Sequence, residues 1–65
     1  MNVYERQKEL LRLLRIRKYE TTYNFSVEFN VSERTIRRDI ELLSLTEPIY
    51  TKAGRFGGGI YYLDY

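Results

Sequence analysis

The chain has 65 residues, eleven basic and nine acidic side chains, a formal charge of +2, and neither cysteine nor histidine. Disulfides, thiolate or imidazole metal sites and the common nucleophile–base pairs are thereby excluded, so no cofactor, no metal and no enzyme activity are expected. The length suits one domain, residues 1–65, which buries only about 60% of its unfolded surface; no apolar run approaches a membrane span and no signal peptide opens the chain, so a cytoplasmic location is expected.

From about Val3 to Arg17 the spacing predicts a helix, with Leu10, Leu11 and Leu14 as its apolar stripe. Leu13 and Ile16 widen that stripe, either to pack under a C-terminal hairpin or to meet a partner. The run of Arg6, Lys8, Arg12, Arg15, Arg17 and Lys18, interleaved with Glu5 and Glu9, fits a solvated face. Lys18-Tyr19-Glu20 is expected to be a short connection. Thr21 or Thr22 then caps a second helix over about 22–29, with Phe25 and Phe29 facing inward. Asn30 suits a left-handed residue at its end, Val31 enters the core, and Ser32 caps a third helix over about 33–44. Glu33 complements that helix's dipole and Pro48 bars its continuation. Helix, short helix, tight turn, helix is the spacing of a helix-turn-helix.

Laid out at about 100° per residue, Ile36, Ile40 and Leu43 define the buried side of the third helix. Arg34, Arg38 and Glu41 point nearly opposite, with Thr35 and Arg37 on the flanks. Three guanidinium groups and a hydroxyl near the start of a capped helix can read guanine edges or grip phosphates, and the helix N-terminus itself favours a phosphate. The pattern also fits a plain solvated basic face. Asp39 lies about 60° from the centre of the buried side. It is expected either to pair with Arg6 or Arg12 or to stay solvated.

Over residues 49–63 the period changes. Ile49, Thr51 and Ala53 alternate with Tyr50 and Lys52, a glycine-rich turn covers 54–59, and 60–63 form the return strand. Ile49, Ile60 and Leu63 are expected to cap the three-helix core. Arg55, with Lys52, is placed to lie along a flanking phosphate or in a minor groove. The glycines serve the turn rather than a phosphate cradle, because no strand–loop–helix order with a lysine surrounds them. Among seven tyrosines, Tyr50, Tyr61 and Tyr62 could stack on bases, although strand aromatics more often serve core or interface.

The string Phe29-Asn30-Val31-Ser32-Glu33-Arg34-Thr35-Ile36-Arg37-Arg38-Asp39-Ile40 resembles the helix-turn-helix of DeoR-type regulators. Glu47-Pro48-Ile49 through Gly57-Gly58-Gly59-Ile60-Tyr61-Tyr62-Leu63 is similar to the wing of WYL-domain regulators, and together these cover roughly residues 4–63. The resemblance implies an α+β fold: a three-helix winged helix-turn-helix with a C-terminal β-hairpin wing. It further implies sequence-specific binding of double-stranded DNA, usually as a dimeric transcriptional repressor, through Ser32, Arg34, Thr35, Arg37 and Arg38. Phe25 and Ser26 stand where such regulators usually have leucine and alanine, and Asn30 where glycine is usual; these changes bear on the turn's packing, not on the DNA face. The 65 residues include no C-terminal sensor domain of the kind that binds an effector, so no small-molecule effector site is expected. A homodimer through Tyr- and Leu-rich surface fits the composition. The competing expectation is a winged-helix protein-interaction module or antirepressor without DNA binding, favoured by Leu13, Ile16 and the tyrosines.

Overall fold

The computed structural model describes residues 1–55 and 58–63. Its elements are α1 (Val3–Arg17), β1 (Tyr19–Thr21), α2 (Thr22–Phe29), α3 (Glu33–Leu43), β2 (Ile49–Lys52) and β3 (Gly59–Tyr62). This is the expected α+β winged-helix arrangement of three helices and a small antiparallel sheet.

Side-chain caps set the helix boundaries. Asn2 and Glu5 form a reciprocal capping box at the start of α1, at 2.8 and 3.1 Å, a signal the sequence carried and the expected elements did not use. Thr21 Oγ1 accepts the Asn24 amide at 3.1 Å to open α2, and Ser32 Oγ accepts the Thr35 amide at 3.1 Å to open α3. Lys18 closes α1 at φ 69°, and Asn30 closes α2 at φ 55° and ψ 47°, the left-handed geometry anticipated for it. The third helix stops at Leu43, one residue earlier than expected, where the Ser44 amide bonds back to the Ile40 carbonyl.

The connection expected after α1 is partly a strand. Tyr19–Thr21 pairs antiparallel with β3, giving a three-stranded sheet in the order β1-β3-β2. The left-handed turn at Lys18 aims the chain along β3, and tyrosine and threonine suit a pleated, half-buried surface. A two-stranded hairpin alone is marginal in water, so the third strand supports the other two. In β3, Ile60 and Tyr62 face the helices, while Gly59 and Tyr61 face away. This alternation corrects one core assignment. Leu63 follows the last paired residue and is 39% exposed, and Tyr62 packs against the core instead. Ala53 likewise falls beyond β2. Phe56 and Gly57 of the expected turn lie outside the described residues.

The core joins Leu10 and Leu14 of α1, Phe25 of α2, Ile36 and Ile40 of α3 and Ile60 of β3. Leu13, Phe29, Val31, Leu43 and Ile49 pack against it, whereas Ile16 is exposed. Of the two fates open to Leu13 and Ile16, Leu13 packs inward and Ile16 does not.

One charged group sits within this interior. Asp39 is 1% exposed, and its two carboxylate oxygens accept from Nε and Nη2 of Arg6; Gln7 Nε2 adds a third bond at 3.1 Å. Arg6 is the partner, and Arg12 instead bonds Glu9. The hydrogen bond to Asp39 raises the Arg6 pKa above its ordinary value. Truncating the carboxylate would strand a mostly buried guanidinium. Asp39→Ala should therefore cost about 3 kcal/mol of stability, against about 0.5 kcal/mol or less for the exposed Arg37→Ala. Urea unfolding followed by circular dichroism measures both, and equal losses would remove the role given to Asp39.

Candidate nucleic-acid interface

With Ile36, Asp39 and Ile40 turned inward, the opposite side of α3 presents Arg34, Arg38 and Glu41 to solvent, with Arg37 on the flank. Arg34 and Arg38 have no hydrogen-bond or ion-pair partner among the described residues. Arg37 Nη2 lies 3.6 Å from Glu33 Oε1, an exposed i,i+4 pair of small energetic weight. Ser32 and Thr35 are bonded to each other: beyond the cap, the Ser32 hydroxyl donates to Thr35 Oγ1 at 3.0 Å. Their hydroxyls shape the start of the helix on which the arginines stand.

The first helix behaves differently. Its charge run was expected to be a solvated face, yet its arginines are engaged with acids even where they are exposed. Arg12 bonds Glu9, Arg15 bonds Glu47 at 2.8 Å, and Arg17 bonds Glu28 at 2.9 Å and Glu20 at 3.1 Å. These contacts raise the arginine pKa values, led by Glu9 for Arg12, Tyr62 for Arg15 and Glu28 for Arg17. The bond from Arg12 lowers that of Glu9. Among the described residues, the guanidinium groups left without an ion pair are thus those of α3 and the hairpin, Arg34, Arg38 and Arg55.

Between α3 and the hairpin lies a cleft of about 260 Å³, lined by Arg37, Ile40 and Glu41 on one side and by Thr51, Lys52 and Gly58 on the other. It brings together Arg37 and Lys52, which the sequence set on separate elements. Arg55 lies elsewhere: with Lys52, Tyr19 and Tyr61 it borders a depression of about 300 Å³ on the outward side of the sheet. Neither hollow includes Ser32, Arg34, Thr35 or Arg38. Gly58 closes the hairpin at φ 106°, and a Cβ there would stand 3.1 Å from the Lys52 carbonyl oxygen, so the position demands glycine. Sequence reasoning missed Thr51 as a wall of the cleft and Tyr19 beside Arg55. The β2 alternation held the signal for the first. Nothing short of recognising β1 could have found the second.

A capped helix–turn–helix whose last helix turns unpaired arginines outward beside a β-hairpin defines a winged helix-turn-helix domain. The sequence matches the HTH domain family over residues 6–61, and the chain belongs to that family. No curated protein and no solved structure matches it. Family membership supports DNA as the partner and transcription regulation as the setting. No helix among the described residues is long and apolar enough to cross a membrane.

The division between cap and surface residues can be measured. Ser32→Ala, which removes the cap of α3, should cost about 1 kcal/mol and lower the melting temperature by about 4–8 °C. Arg34→Ala and Arg38→Ala should each stay within about 0.5 kcal/mol of the parent. A large loss from either arginine would show that it is held by the fold.

Proposed function

We propose that the domain binds double-stranded DNA sequence-specifically as a transcriptional regulator, a repressor of the DeoR or WYL type. In this reading α3 enters the major groove and the β2–β3 hairpin acts as the wing. The observation that carries it is the pair of unpartnered, outward guanidinium groups, Arg34 and Arg38, on a helix whose inner face is locked by Ile36, Asp39 and Ile40. Arginine's planar fork suits bidentate bonding to guanine O6 and N7. Arg37 and Lys52 both border the cleft between helix and wing, a place suited to one sugar–phosphate strand, which positions the domain without reading sequence. Ser32 and Thr35 support the same edge of α3, and Arg55 extends the basic surface toward a flanking phosphate. Exposed Ile16, Leu42 and Leu45 leave apolar surface for a homodimer, which would set two recognition helices on half-sites about one DNA turn apart.

Selection of bound sites from a random duplex library, followed by titration on the best site, tests the assignment. Affinity should fall with salt, log K changing by about −0.9 per unit of log salt for each phosphate neutralised. Arg38→Ala should cost about 1–3 kcal/mol on that site and relax preference at one position. Arg55→Ala should weaken all duplexes alike and reduce the salt slope by about 1. Unchanged affinity for Arg38→Ala would falsify base reading by this residue. Absence of any duplex binding by the folded protein would instead favour the protein-interaction module.

A further inference from the structure

The outward face of the sheet carries a feature that duplex binding by α3 does not use. Strand alternation places Tyr19 and Thr21 of β1, Gly59 and Tyr61 of β3, and Tyr50 and Lys52 of β2 on this side. Tyr61 is paired across the strands with both Tyr19 and Tyr50. The three rings form a row across the whole sheet, with centroids 4.8 Å apart for Tyr19–Tyr61 and 5.7 Å for Tyr50–Tyr61. Tyr62, by contrast, is turned to the inner side, where the cations of Arg15 and Lys18 lie over its ring.

Gly59 explains how the rings lie. A Cβ on that residue would stand 2.9 Å from Cε1 of Tyr19 and 3.2 Å from Cε2 of Tyr61. Both rings therefore lie close against the bare backbone of Gly59, and Tyr19 and Tyr50 remain 44% and 49% exposed. Beside the row, the depression of about 300 Å³ is bordered by Lys52, Arg55 and Thr21. None of the six outward strand positions carries a carboxylate.

We propose that this face is a second nucleic-acid site, specific for unpaired nucleotides: bases stack on Tyr61 and its neighbours Tyr19 and Tyr50, and phosphates meet Lys52 and Arg55. Aromatic rings flanked by cations are the chemistry that holds single strands, whose bases, unlike those of a duplex, have faces open to stacking. A second copy of the chain fits less well. A two-fold contact through this face would gather Lys52 and Arg55 of both copies into one interface with no acid on the six outward strand positions to offset them.

The test uses the full chain and a fluorescein-labelled oligothymidylate of about 15 nucleotides, within the length such surfaces cover. Anisotropy at low salt should show binding that Tyr61→Ala weakens about tenfold or more and Tyr61→Phe preserves. Tyr50→Ala, on the edge strand, should act in the same direction and guards against unfolding of the Tyr61 variant. Duplex affinity should be unchanged in these variants, whereas Arg38→Ala should lose duplex affinity and keep the oligothymidylate, so the two sites fail separately. The proposal is overturned if the parent does not bind the oligothymidylate, or if the folded tyrosine variants bind it as the parent does. It is equally overturned if sedimentation shows a dimer that Tyr61→Ala dissolves, since the face would then belong to a second copy.

Discussion

The Asp39 carboxylate, enclosed between α3 and α1 and held by Arg6 and Gln7, fixes the rotation of α3 about its own axis, on which the outward direction of Arg34 and Arg38 depends. Apolar contacts are non-directional, and Ile36 and Ile40 alone would tolerate some roll. A guanidinium fork closing on a carboxylate is directional, since both parallel bonds lapse if either partner turns. A buried ion pair adds little net stability once its desolvation is counted, and the best-attested use of such buried polar groups is to specify register. Here the register is angular. With Asp39 pinned, Arg34 and Arg38 have one direction in which to point, and the capping box of Asn2 and Glu5 steadies the helix that supplies Arg6.

The same pairing logic accounts for how a domain of charge +2 presents a basic surface. Glu9, Glu20, Glu28, Glu47 and Asp39 all bond to arginines of α1. Among the described residues, the basic groups of α3 and the hairpin are left with only the loose contact between Arg37 and Glu33. Total charge is therefore a poor guide to this protein. A local excess of cations raises the concentration of a polyanion near the helix, while paired arginines on α1 contribute to packing. Arg15 shows the second use plainly: it joins Glu47, ahead of β2, to the Tyr62 ring on β3.

What was legible in the sequence follows from how local each signal is. The limits around the turn came out as expected because Asn30 and Ser32 act on their immediate neighbours. Helical phase left Asp39 either paired with Arg6 or Arg12 or solvated, and only the packing of α1 against α3 could choose Arg6. Tyr19–Thr21 was unreadable as a strand because three residues carry too little period, and because their partner, β3, lies some forty positions away in the chain. Leu63 was misplaced because it stands three positions from the inward Ile60, and in a strand an odd spacing sends a side chain to the opposite face. The outward arginines were visible from helical phase, whereas the hollows beside Lys52 required the hairpin's placement.

That placement depends on β1 more than on the hairpin itself. The Tyr62 amide bonds the Lys18 carbonyl at 2.9 Å, and the Thr22 amide bonds the Gly58 carbonyl at 3.1 Å, so β3 is tied to both ends of the segment that links α1 to α2. A hairpin joined to the domain only through the chain leaving α3 would be free to swing, and its basic residues would carry an entropic cost into any complex. The short strand removes that freedom. It sets the hairpin against the helix-turn-helix, and so fixes how far Lys52 stands from Arg37 before any partner arrives. By the same insertion it puts Tyr19 beside Tyr61, so the strand that holds the wing in place also completes the aromatic row.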